Sequence, residues 1–188
     1  MRGWDTYLAG TVIGVLSIIT FTLGSSELGI SRVALGRGEW IKCLSFMFAH
    51  NNLSHLLTNL AALAFVTMIA RELKISGPAF FAIFVGVGFL AVLPALLVSG
   101  SYVFLGASAG ISALFGITTV KIRLYGLPGP TIFVMFVLTL GISSAIDVWL
   151  VGSVESAMQF LVHLTALVLG AALFLIYGEK TYVFSRGR

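Results

Sequence analysis

The sequence predicts an all-α membrane protein, a bundle of six transmembrane helices. Three observations predict it. Of 188 residues, 59% are hydrophobic and 10% charged, whereas a soluble domain is about half apolar and about a quarter charged. The mean hydropathy is +1.07. The apolar residues also gather into stretches near 6–24, 53–70, 78–98, 108–124, 130–150 and 157–177. Each is long enough for a helix across hydrocarbon about 30 Å thick.

The first stretch follows Met1-Arg2-Gly3-Trp4-Asp5 without a cleavage-like small-residue site, so it reads as a span rather than a removed signal peptide. Ser54 is the expected N-cap of the second. Pro78 and Pro130 fall in the first turns of the third and fifth, where proline is tolerated. Pro94 is placed to kink the third. The connection 99–107 holds no charge, so it need not leave the membrane if protein or water covers its backbone. No polar linker or internal repeat divides the chain, which reads as one domain over 1–188 and not as an inverted-repeat transporter.

Six spans sort the basic residues by side. Arg2, Arg71, Lys74, Lys121, Arg123, Lys180, Arg186 and Arg188 fall on one side, and Arg32, Arg37 and Lys42 on the other. Both termini are therefore expected in the cytoplasm, with loops 25–49, 99–107 and 149–156 outside. The net charge of +4 forms no basic cluster or helix, which argues against a nucleic-acid partner. Cys43 is the only cysteine, so neither an internal disulfide nor a multi-thiolate metal site is expected.

Against this background a few polar groups stand out, because ionisable residues in a bilayer are costly and default to functional roles. His55 and Asn59 are four apart on the second span and share a face. Two donors aimed at one point make an oxyanion site, or else packing glue between helices. Gly106-Ala107-Ser108-Ala109-Gly110 opens the fourth span. Formally it is G-x-S-x-G, but no strand is available for a soluble hydrolase elbow. A serine at a helix N-terminus still sits by unpaired N–H groups. The alternative is a small-residue packing face with the GxxxG spacing of Gly106 and Gly110. His163 shares a face with Ala166 and Gly170 on the sixth span. Packed on the small face of the fourth, it would approach Ser108 as a base, or else serve a proton path or packing.

Taken in order, these features resemble the rhomboid family of intramembrane serine proteases over nearly the whole chain. His50-x4-His55-x3-Asn59 looks like its second-span signature, Gly106-Ala107-Ser108 like its G-x-S motif, and His163 with Ala166 and Gly170 like its sixth-span histidine. Trp40 resembles the tryptophan of a Trp-Arg pair in the first loop. The resemblance implies a serine endopeptidase that cuts transmembrane protein substrates in or near their membrane helices. Ser108 would be the nucleophile and His163 the general base. His55, Asn59 and the Ser108 N–H would form the oxyanion hole, with His50 and Gly106 supporting. Loop 25–49 would brace the site, and the fifth span with loop 149–156 would gate it. No metal or cofactor is implied. The partners would be membrane protein substrates and the lipid bilayer, in a prokaryotic plasma membrane.

The chain departs from the family pattern in four places. Ala109-Gly110 follows the serine where glycine then a small residue is usual. Ser112 stands where an aromatic ring commonly stacks on the base. Ile41 replaces the arginine after the tryptophan, and Ala166 a common glycine. Two other readings stand beside the protease: a non-catalytic rhomboid-like protein that binds transmembrane helices, and a small channel or transporter using buried histidines.

Overall fold

A computed structural model describes residues 4–98, 100, 102–151 and 154–178. The expectations for Arg2, Lys180, Arg186 and Arg188 lie outside the described residues, as does the centre of loop 149–156.

The long helices are α1 (Trp4–Thr22), α4 (Leu53–Glu72), α8 (Gly129–Val151) and α9 (Val154–Leu173). Between α1 and α4 lie the short helices α2 (Arg32–Gly36) and α3 (Lys42–Ser45). The third apolar stretch is continuous helix from Gly77 to Val98. It is built from α5 (Gly77–Ala82), a π-turn at Ile83–Val87 and α6 (Gly88–Val98). Pro94 sits inside α6, and the wide turn ends at Val87, about two turns before it. α7 (Ser108–Lys121) completes the set. Among the described residues no strand forms. One isolated bridge pairs Ile30 with Phe104.

Four of these helices are long and apolar enough to cross a membrane: Asp5–Thr22, Leu53–Glu72, Gly77–Val98 and Ala157–Ile176. The other two expected spans do not meet that measure among the described residues. α7 has 14 residues, and the apolar part of α8 found there is the shorter Gly129–Ile142. The reason for the short α7 lies in its position. It packs along α9 and lies against α4, α6 and α8, so residues from Ala109 to Leu114 are all buried. A helix enclosed by protein needs no full-length lipid-facing surface.

Glycine sets the closest approaches. A Cβ on Gly170 would collide with the Ala113 carbonyl, and one on Gly116 with the Leu167 carbonyl. α7 and α9 thus touch backbone to backbone through Ala113, Gly116, Leu167 and Gly170. The expected meeting of the His163 face with small residues of the fourth span occurs, but one to two turns further along. Gly110 faces another way: its Cβ would lie 2.6 Å from the Phe84 carbonyl oxygen, and Gly88 packs on its Cα. Gly106 precedes the helix. The two ends of the GxxxG spacing therefore serve different neighbours.

Candidate active site

Ser108 is the first residue of α7. The residue before it, Ala107, offers no side-chain cap, which leaves the first-turn N–H groups unpaired by the helix itself. The loop leading to Ser108 is held from the segment between α1 and α4. Ile30 and Phe104 exchange N–H to carbonyl bonds of 2.8 Å in both directions, and Gly106 N–H donates to the Phe46 carbonyl at 2.9 Å. Gly106 itself has φ +119, a conformation open to glycine. A Cβ there would lie 2.7 Å from both Cε1 and Nε2 of His55.

The N-cap of α4 lies two residues earlier than the sequence suggests. Its N-cap is Asn52, whose side chain accepts from the His55 N–H at 2.8 Å. Ser54 lies inside the first turn. The amide oxygen of Asn52 reaches the N3 donor, the usual geometry of a cap. The Asn51 side chain then takes His55: its Oδ1 accepts from Nδ1 at 2.9 Å and from Asn52 Nδ2 at 3.1 Å. With the oxygen as acceptor, Nδ1 carries the proton. Neutral His55 therefore turns a bare Nε2 toward Gly106.

His50 lies just before α4, buried. Its Nδ1 donates to the Phe48 carbonyl at 3.1 Å, which also accepts from Thr20 Oγ1. Its ring meets that of His55 edge-on at 5.0 Å. Nε2 of His50 has no partner. Burial, helped by the nearby His55, pushes the His50 imidazole down to about 4, so it is neutral at neutral pH.

Asn59 sits one turn below His55, 7% exposed, and its Nδ2 has no hydrogen-bond partner. Buried amide donors are rarely left unsatisfied, because desolvation without a partner costs about 1–3 kcal/mol. Here the orphan faces a cavity of about 200 Å³ whose walls include His55, Asn59, Gly106, Ser108 and His163. Five of the six residues singled out in the sequence thus line one space, and His50 stands behind His55. A second cavity of about 250 Å³ continues from Ser108, Asn59 and His163 toward α8 between Ile111, Phe115, Phe136 and Leu140. Ser112 also lines it, and the aromatic contact nearby is Phe115 on Phe136, at 4.5 Å. Among the described residues Ser108 and His163 share both cavity walls without a hydrogen bond between them. Catalytic pairs in unliganded sites are often this loose.

Beyond the six, the site includes three residues that sequence reasoning missed. Asn51 fixes the His55 ring. Gln159 and Tyr102 also line the first cavity, joined by a bond of 3.1 Å from Gln159 Nε2 to the Tyr102 hydroxyl. Gln159 had a usable signal, four residues before His163 on the same helix face.

A family model for the rhomboid domain matches residues 37–180. The chain belongs to the rhomboid family. No curated protein matches it with significance. Family membership and the apolar helices make this rhomboid protein an integral, multi-pass membrane protein, an intramembrane protease or a relative of one. Among the described residues no group of three or more His, Cys, Asp or Glu side chains is arranged to hold a metal. In this rhomboid protein the segment between α1 and α4 reaches the site through Ile30 and Phe46, while Trp40 and Ile41 are 68% and 69% exposed. Glu39 pairs with Lys42 at 2.6 Å, beside the position where the family pattern has arginine.

Proposed function

We propose that this protein is an active intramembrane serine protease. The observation that carries the reading is the unpartnered Asn59 amide on one cavity wall with Ser108 and His163. A buried donor with no protein partner is what a site for a transient negative oxygen requires.

On this reading Ser108 is the nucleophile and His163 the general base of a dyad. His163 takes the hydroxyl proton as Ser108 Oγ attacks the carbonyl carbon of a substrate peptide bond. The negative oxygen is received by Asn59 Nδ2 and the Ser108 N–H. His163 then hands the proton to the leaving amine, and water releases the acyl group by the same steps. His55 joins the oxyanion site once a proton is on Nε2. That requires Asn51 to present its amide NH2 to Nδ1, or the ring to be protonated. Gly106 admits the His55 ring, and His50 holds the other side of it.

The wider reading is a single domain over 1–188 with six spans, α7 and α8 supplying the fourth and fifth, and both termini in the cytoplasm of a prokaryotic cell. Substrates are transmembrane helices, and no metal or cofactor takes part. The alternative, a non-catalytic helix-binding relative, is supported by the missing Ser108–His163 hydrogen bond. Purified protein in liposomes with a model transmembrane substrate separates the two. The protease cleaves it, Ser108→Ala does not, and a fluorophosphonate labels Ser108. Undiminished cleavage by Ser108→Ala overturns the assignment.

A further inference from the structure

The dyad of the proposed protease lies between two ties joining its helices. Below it, α7 and α9 meet backbone to backbone, Gly116 on Leu167 and Gly170 on Ala113. Above it, α9 meets the loop that leads into α7 through the Gln159–Tyr102 hydrogen bond. Gln159 is one helical turn before His163, on the same face. Tyr102 is four residues before Gly106, and its ring is packed edge-on against Phe104 at 4.6 Å. Phe104 is in turn pinned to Ile30. A rigid path thus runs from Ile30 through Phe104 and Tyr102 to Gln159 and the helix turn that carries His163.

We propose that Tyr102 and Gln159 are positioning residues that set the distance between Ser108 and His163. The glycine contacts fix that distance at the lower end, and α6 and α8 pack along α9. The Tyr102–Gln159 bond adds a restraint at the upper end. It connects the base's helix directly to the nucleophile's loop, bypassing the helix α8 between them in sequence. The pair touches neither reacting atom. Its effect is on how often the serine and the imidazole come within reach of each other, and so on kcat rather than on substrate affinity.

The inference rests on the protease reading, so its test carries a readout that needs no activity. Tyr102→Phe, Gln159→Leu and the double variant are assayed in liposomes for cleavage of a transmembrane substrate and for the rate of fluorophosphonate labelling. One lost hydrogen bond of this kind is expected to lower kcat and the labelling rate about threefold to tenfold, with KM unchanged. The double variant should be no worse than either single one. Gln159→Glu loses the Nε2 donor, but its carboxylate accepts from the Tyr102 hydroxyl instead, and this reversed bond should restore most of the rate. In parallel, spin labels at the exposed positions Val103 and Leu161 in a Cys43→Ser background report the loop-to-α9 distance, which should broaden in Tyr102→Phe and Gln159→Leu. Unchanged labelling rates, additive losses, or a raised KM with kcat intact each overturn the proposal. An unlabelled wild type with broadened distances sinks the protease reading and keeps the clamp. Unchanged distances sink the clamp.

Discussion

Gly106 and His55 are in direct contact: the absent side chain of one is the space occupied by the ring of the other. A Cβ at 106 would lie 2.7 Å from His55 Nε2, and φ there is +119. Gly106→Ala therefore displaces the His55 ring and strains the loop into Ser108 together. Cleavage of a transmembrane substrate in liposomes should fall at least about 100-fold, the cost of one lost oxyanion donor. An alanine variant that folds and cleaves as the wild type does would contradict this geometry.

Asn59 separates activity from stability. Its amide is buried with an unpartnered nitrogen, so the folded state gains nothing from that donor. Asn59→Ala should lower kcat about 100–1000-fold, while the thermal midpoint in detergent stays level or rises, since an unsatisfied group is removed. A midpoint that drops sharply would show that the Asn59 amide is a structural bond instead.

Asn51 decides which nitrogen of His55 carries the proton. With Oδ1 of Asn51 on Nδ1 at 2.9 Å, neutral His55 offers no donor from Nε2. Asn51→Leu removes that preference and lets the proton reside on either nitrogen. Nitrogen-15 spectra of the histidine ring should show the Nδ1–H tautomer in the wild type and a shift toward Nε2–H in the variant. A wild type already in the Nε2–H form would mean that Asn51 presents its NH2 group.

His50 gives the fold a dependence on pH. Its proton affinity is lowered by burial, to about 4 from 6.5. The unfolded chain therefore binds a proton that the folded chain refuses between those values. The neutral ring's contribution is complete above about pH 6.5 and is lost as pH falls toward 4. The thermal midpoint should decline across that window, and His50→Asn should flatten the decline. An equally steep decline in His50→Asn would assign the effect to another group.

The backbone contact between α7 and α9 predicts a purely structural defect. Gly170→Val places carbon against the Ala113 carbonyl and should cost about 1–3 kcal/mol, the usual range for overpacking a tight interior. Chemical denaturation in detergent measures it. Gly86→Val serves as a control for space, because a Cβ there meets nothing within 4 Å.

Much of this was readable from residue order. Long apolar runs gave the helix bounds within a few residues, because lipid leaves little choice of where such a run begins and ends. His55, Asn59, Ser108 and His163 stood out since polar groups are few in an apolar chain. What was hidden depended on direction rather than type. The face of Gly110 is settled by the π-turn at Ile83–Val87, which no local pattern announces. Asn52 outranked Ser54 as the cap because two adjacent asparagines divide the work, one on the backbone of His55 and one on its ring. Tyr102 lies in a loop without periodicity, and only the fold brings it to Gln159.

The length of α7 has a bearing on where water must go. Fourteen residues rise about 21 Å, against hydrocarbon about 30 Å thick. With Lys121 at one face, such a helix stops roughly 9 Å short of the other. On the protease reading Ser108 then lies below that other face, on the wall of both cavities, and each turnover would draw its water and shed its polar product through them.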